Sequence, residues 1–287
     1  MTDMILVTGA NGNLGAATLT ALHARGALAT GGSRTPTDGM RRLDFDAPSG
    51  IDLTGVSTLV LVSAGYAEDD QVVGRHAAVL DAAVQDGVRH VVYTSLTGAG
   101  DHLAFALAHR ATERLVRTCG LPWTILRNGL YAELFGGLLM WADDVVESAF
   151  GDGALAAVAR ADLAEAAAIV AADPAPHGGR AYDLVGTPIT AARVADQLGV
   201  PHRSIGLGEY RRRLLDEGSG LLPFQPPMLA SIATSVRHRF LDGTCSDLVD
   251  ILGRPLRDPL TTAAAAAAAT RPAPDRTPAG DARPTTA

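Results

Sequence analysis

Lysine is absent from all 287 residues, so every one of the 24 basic side chains is an arginine, with eight histidines as titratable additions. That excludes a Schiff base, a phosphate-loop lysine and a lysine acid or base. Cysteine is nearly absent. Cys119 and Cys245 lie far apart, which excludes a disulfide framework and a cysteine metal motif, and each is expected to be a small buried apolar residue. No other spacing reads as a metal site. No apolar run reaches membrane-spanning length, and the opening Met1-Thr2-Asp3 is not a basic stretch leading into an apolar one. A net charge of −7 lacks the basic face that nucleic acid or a membrane surface requires. The expectation is a soluble, cytoplasmic protein, monomeric or homodimeric, with neither kind of partner. Its length fits one large α/β domain with a small second lobe.

What is present begins with Gly9-Ala10-Asn11-Gly12-Asn13-Leu14-Gly15, directly after the apolar run Met4-Ile5-Leu6-Val7-Thr8. A strand, a glycine-rich turn and a helix form a dinucleotide-binding unit. The glycines let the backbone approach a pyrophosphate, and the helix start offers free N–H groups and a positive dipole end. The spacing is GxxGxxG rather than GxGxxG, and an ordinary surface turn is the competing reading.

Short apolar runs then alternate with helical patterns, the βαβ signature of a doubly wound parallel-sheet Rossmann fold. Strands are expected near 5–7, 28–32, 42–45, 58–63, 90–95 and 123–127, and helices near 14–25, 71–85 and 103–117, with Gly26 closing the first. After Asn128 the alternation fades. A helix at 163–172, a late strand at 181–185 completing the sheet, a helix at 190–198 and mostly helical residues from 206 to 252, with Pro223, Pro226 and Pro227 in a loop, imply a smaller, mainly helical lobe. The expected division is a nucleotide-binding core at 1–130, a substrate lobe at 131–260 and a disordered low-complexity tail at 261–287, which includes seven consecutive alanines.

Ligands of such sheets bind outside the carboxyl ends of the strands. Asn11, Gly12, Asn13 and Leu14 therefore join Gly9 and Gly15 as cofactor candidates. Ser33 and Arg34 follow the second strand, where an acid would select NAD(H). An arginine there pairs with a 2′-phosphate and points to NADP(H), unless it is simply a solvated surface side chain. Asp44 could meet the adenine amino group, and Phe45 either flanks the adenine or joins the core. Val62, Ser63, Ala64 and Gly65 end the fourth strand, and Thr94 and Ser95 the fifth. Ser95 either hydrogen-bonds a substrate carbonyl or caps the next element. His76 reads as structural. His109 and Glu113 share a helix face, the pattern of a surface contact. Asn128 and Tyr131 leave the sixth strand where a nicotinamide or substrate ring would lie, with Tyr131 either a proton donor or a packed residue at the lobe junction.

Several of these segments, with Arg34-Thr35-Pro36, the stretch 108–113, Pro122 to Tyr131, Gly151-Asp152-Gly153, Arg160 to Ala164 and the stretches 240–243 and 252–255, resemble the NmrA-like atypical short-chain dehydrogenase/reductases. The likeness spans about residues 4–260 and is nearest the type 2 NAD(P)H:quinone oxidoreductases and triphenylmethane reductase. One departure from ordinary members stands out. Their Tyr-x-x-x-Lys pair is here Phe105-x-x-x-His109. The quinone-reductase branch also carries a histidine at this place. The resemblance implies direct hydride transfer from NADPH, without flavin, to a small quinone or aromatic acceptor. His109, Asn128, Tyr131 and Ser95 would be the residues around the reacting rings. Two other expectations stay open: an NADP(H) sensor without turnover, and a tailoring reductase or isomerase of aromatic natural products.

Overall fold

The computed structural model describes residues 3–64 and 67–272. Gly65, a cofactor candidate, and tail residues 273–287 lie outside the described residues. The first half runs β1 (Met4–Thr8), α1 (Asn13–Ala24), β2 (Ala29–Ser33), β3 (Arg41–Arg42), β4 (Val56–Val62), α2 (Asp69–Gln85), β5 (His90–Leu96), α3 (Ala106–Thr118) and β6 (Trp123–Asn128). The second half runs α4 (Ala132–Gly137), β7 (Met140–Ala142), β8 (Val145–Ser148), β9 (Ala154–Ala157), α5 (Arg160–Ala172), β10 (Arg180–Leu184), β11 (Thr187–Thr190), α6 (Ala191–Leu198), β12 (His202–Ser204), α7 (Leu207–Leu214), α8 (Gln225–Arg237), α9 (Leu248–Leu252) and α10 (Pro259–Ala269).

Seven strands form one parallel sheet in the order β10-β6-β5-β4-β1-β2-β3. The order reverses between β1 and β4, which opens a crevice at their carboxyl ends. Alternation along the strands divides the core. Ile5, Val7, Val60, Val92 and Leu126 face α1 and α5, while Leu6, Leu59, Leu61, Val91 and Ile125 face α2 and α3. Both faces are covered, so the central strands are apolar in their middles. A separate core holds the lobe together, with the Phe135 and Phe150 rings stacked at 4.9 Å.

Four expectations need correction. The third strand shrinks from 42–45 to Arg41–Arg42, because the Asp44 side chain accepts the Asp46 N–H and turns the chain out of the sheet. The lobe is less helical than expected, since β7, β8 and β12 form one small sheet and β9 with β11 another. Pro226 and Pro227 lie in the first turn of α8, where a missing N–H removes no helical bond. Cys245 is exposed rather than buried.

The alanine run is ordered, against expectation. Asp258 caps α10 by accepting from Leu260 and Thr261 N–H, and Pro259 opens the first turn. Ala263, Ala264 and Ala267 are buried. The helix lies so close to α4 that a Cβ on Gly136 would stand 2.1 Å from the Ala263 oxygen. Trp141 Nε1 donates to the Ala267 oxygen at 2.9 Å. Small side chains need no apolar bulk when two helix backbones approach this closely. Truncation after Asp258 is therefore expected to destabilise the fold by about 3 kcal/mol or more, counting lost apolar burial and the stranded indole N–H. A melting curve unchanged by the truncation would refute this docking.

Candidate active site

One cleft of about 880 Å³ runs along the carboxyl ends of β1, β2, β4, β5 and β6 and is closed on one side by α4 and α8. Its first end is the glycine-rich turn. Gly9 takes φ +60°, and a Cβ on Gly15 would stand 2.3 Å from the Gly9 oxygen, so the turn can fold against the start of α1 only with glycine there. Gly12 is the N-cap of α1 and no side chain caps the helix, so its first amides stay available to an anion. Asn11 Nδ2 donates to the Thr35 oxygen at 2.7 Å and ties the turn to the end of β2. An uncapped helix start behind such a cradle fits a dinucleotide pyrophosphate.

Arg34 reaches the cleft with its side chain 71% exposed, 4.0 Å from Asp46 Oδ2. Arg75 holds that same carboxylate from the other side, Nε to Oδ1 at 2.6 Å and Nη2 to Oδ2 at 2.8 Å. These hydrogen bonds keep the Asp46 carboxyl below its ordinary pKa. Asp44 does not line the cleft. Its carboxylate is spent on the turn to Asp46, so Asp46 is the acid that lines this end of the cleft. Phe45 is half-buried, lines the cleft and also packs on the core. Val62, Ser63, Ala64 and Thr94 line the middle. Val62 N–H donates to Thr8 Oγ1 and Ser63 N–H to Thr94 Oγ1, which pins the strand ends together.

The far end brings together Ser95, His109, Asn128 and Tyr131, the set that the resemblance implied. Their states differ from expectation. Ser95 neither caps a helix nor offers its proton to the cleft, because its hydroxyl donates to Glu113 Oε1 at 2.7 Å. Glu113 is no surface partner of His109. It is buried, held by Arg127 through Nε at 2.9 Å and Nη2 at 2.8 Å, and by Arg110 Nη1 at 2.9 Å. Burial opposes its ionisation. The hydrogen bonds from Arg127 and Ser95 and the neighbouring guanidinium charges outweigh that and hold its carboxyl below the usual value.

His109 bonds the Tyr93 hydroxyl through Nδ1 at 3.1 Å. Burial, then the charge of Arg110, push its pKa down to about 4, so the ring is neutral at pH 7. Asn128 is buried, and its Oδ1 has no hydrogen-bond partner among the described residues. A buried acceptor without a donor costs free energy, so this atom is suited to an N–H group of a ligand in the cleft. The Tyr131 ring lies under the Arg160 guanidinium at 4.9 Å, at the junction with the lobe.

Sequence reasoning missed the apolar wall. Leu134 of α4, Leu138 directly after it, Met228 and Ile232 of α8, and Phe105 converge on the far end. Met228 and Ile232 are one helical turn apart, a pattern any packed helix shows, so no local signal marked them. A second, more open groove of about 910 Å³ lies on the lobe between β11, α9 and α10. Its Arg254 and Arg257 are already matched by Asp162 and Glu165.

No family model matches the chain. It is 39% identical over 137 residues to quinone oxidoreductase 2 of Escherichia coli and 32% identical over 133 residues to an NmrA-like family domain-containing oxidoreductase of Aspergillus flavus. These alignments span 47% and 43% of the respective relatives, as they do of this chain. Over nearly the whole chain, the structure superposes on Citrobacter sp. triphenylmethane reductase complexed with NADP(H), with a TM-score of 0.80, 26% identity, and 92% of this chain and 99% of that one covered. The NADPH-dependent quinone oxidoreductase of Escherichia coli complexed with NADPH gives 0.79, 28%, 91% and 99%. The chain is thus similar, in sequence and in fold, to NmrA-like, quinone and triphenylmethane oxidoreductases. Phe105 and His109 meet edge-on, with centroids 6.3 Å apart. Among the described residues no helix is long and apolar enough to cross a membrane.

Two outcomes test this site. Glu113→Gln leaves Arg110 only Asp101, and Arg127 only Asp183 at 3.9 Å, as counter-charges. Both guanidiniums are partly exposed and regain water, so the expected loss is about 2–3 kcal/mol in urea unfolding, at or below the low end for a broken buried pair. An unchanged midpoint would contradict it. His76 is wholly buried and its pKa is lowered by burial to about 3. Below pH 6.5 the unfolded chain binds a proton that the folded imidazole refuses, so stability falls from there towards pH 3. His76 alone should remove about 2 kcal/mol by pH 5, and His76→Gln should flatten that slope. Equal slopes in both proteins would refute it.

Proposed function

We propose that the protein is an NADPH-dependent oxidoreductase that delivers hydride directly, without flavin, to a quinone or related conjugated electrophile. One observation carries this reading: a single cleft joins an uncapped, glycine-cradled helix start to an apolar slot that has no tyrosine–lysine pair. The gly-rich turn and first amides of α1 would hold the pyrophosphate, and Arg34, with Ser33 and Thr35, the 2′-phosphate. Asn128 would receive a carboxamide N–H on Oδ1. The dinucleotide, when bound, supplies hydride from its reduced ring.

The residues at the far end suit an acceptor that needs orientation more than a proton. Phe105 cannot donate one, and His109 is neutral at pH 7. A quinone accepts hydride to give a stabilised phenolate that water can protonate, so placement between ring-bearing walls supplies most of what the reaction needs. Phe105, Leu134, Leu138 and Met228 would form those walls, and Tyr131 would border the ring at the lobe junction. The name oxidoreductase carried by the relatives supports the reaction class.

The same missing pair also favours a second reading, an NADP(H) sensor that binds without turnover. Absorbance decay of NADPH with benzoquinones and naphthoquinones, and NADH in parallel, separates the two. Acceptor-dependent turnover with NADPH preferred is expected. Tight binding of NADPH and NADP⁺ with no decay for any acceptor would sink the reductase reading. Arg34→Ala is expected to weaken NADPH binding about tenfold or more and to leave NADH nearly unaffected, as loss of a charge-assisted phosphate contact requires. Equal losses for both cofactors would show that Arg34 does not read the phosphate.

A further inference from the structure

Tyr93 is among the largest wholly buried side chains, and it lies behind the cleft lining. Its hydroxyl has a single hydrogen-bond partner among the described residues, His109 Nδ1, 3.1 Å away. Burial pushes the Tyr93 pKa up and keeps the phenol protonated. His76 packs beside it, ring edge to ring at 5.6 Å between centroids, and its own nitrogens are both engaged, Nε2 by the Ala64 N–H at 2.9 Å and Nδ1 by Thr112 Oγ1 at 2.8 Å. A neutral phenol whose sole partner is a ring nitrogen donates its proton to that nitrogen, since the reverse would bury the O–H without an acceptor. His109 therefore carries its proton on Nε2, the opposite edge of the ring, on the side of the cleft it lines.

We propose that Tyr93 is a positioning residue that holds His109 in its neutral Nε2–H form, so that the cleft presents one fixed N–H donor to an acceptor oxygen. This rests on the reductase reading above and narrows its substrate class. An acceptor with a carbonyl oxygen beside the hydride-receiving ring, as in a quinone, uses that donor, whereas a triarylmethyl cation has no oxygen to offer it. The electron and proton count closes without His109 being consumed. The quinone takes up one hydride, which carries two electrons, and becomes a hydroquinone monoanion, while the dinucleotide is oxidised to NADP⁺. The N–H of His109 stabilises the oxygen on which negative charge develops, and water supplies the second proton. Turning His109 over would leave the buried phenol proton without its acceptor, which costs free energy, so the N–H stays on the cleft side.

Long-range ¹H–¹⁵N correlation on protein labelled at histidine nitrogens reads the tautomer directly, in the absence of any acceptor. The His109 signals are assigned by their loss in His109→Gln. At pH 7 the wild type is expected to show His109 protonated on Nε2 alone. In Tyr93→Phe the pattern should move towards the Nδ1–H form, and kcat with a quinone should fall on the order of tenfold, with NADPH affinity unchanged. A wild-type spectrum with the proton on Nδ1 or on both nitrogens overturns the proposal, as does a Tyr93→Phe protein with the wild-type pattern and kcat. Should Tyr93→Phe fail to fold, the wild-type spectrum decides by itself. An Nε2–H spectrum in a protein that reduces no acceptor supports the positioning by Tyr93 and overturns the reductase reading, so the two fail separately.

Discussion

The buried carboxylate of Glu113 is the point on which the carboxyl edge of the sheet depends. It stands on α3, and its two oxygens collect Ser95 from the end of β5, Arg127 from the end of β6 and Arg110 from its own helix. Arg110 in turn donates to the oxygens of Leu96 and Thr97, where the chain leaves β5. Two strand ends and a helix are thereby cross-linked by charge-assisted bonds at the place where a ligand would lie. Such bonds are the stronger kind, and a carboxylate with three partners at this depth tolerates little displacement of any of them.

This fixed edge explains the division of labour in the cleft. Residues that look reactive in isolation, above all Ser95, are occupied in holding the frame. The groups left facing the cleft are few: the neutral ring of His109, the unpartnered oxygen of Asn128 and the ring of Tyr131. They are set on strand ends and a helix rather than on long loops, and α4 closes over them. That helix is itself held by α10 through the contact at Gly136, so the alanine run sets the position of the slot's apolar wall. A frame rigid in polar contacts and a wall built of apolar side chains suit a flat, conjugated ligand.

The core of the fold was legible because its requirements are local. Each buried parallel strand must be a continuous apolar run between turns, and β1, β4, β5 and β6 all fall within about two residues of where those runs lie. The lobe was less legible. Its strands are three or four residues long, too short to show a period. The alanine run was misread because its composition looks like a tail, although Asp258 and Pro259 form an ordinary helix start and alanine is the best helix former. What decided it was the facing Gly136, more than 100 positions away.

The site divides in the same manner. The placement of the glycine cradle, Arg34, Asn128 and Tyr131 at one edge follows from strand ends and chain order, so the sequence alone determined which edge of the sheet carries the candidate site, while His109, on α3, was marked by the resemblance. The lack of lysine likewise settled which chemistry was closed to it, since no tertiary contact can supply a missing side chain. Only the tertiary structure decided what each polar group does there. Glu113 meets Ser95 and Arg127 instead of His109, Asp46 replaces Asp44, and His109 turns to Tyr93. Each choice depends on which distant segments pack within about 3 Å, and on which way the intervening protons point. A pattern of residue types along one chain carries neither quantity.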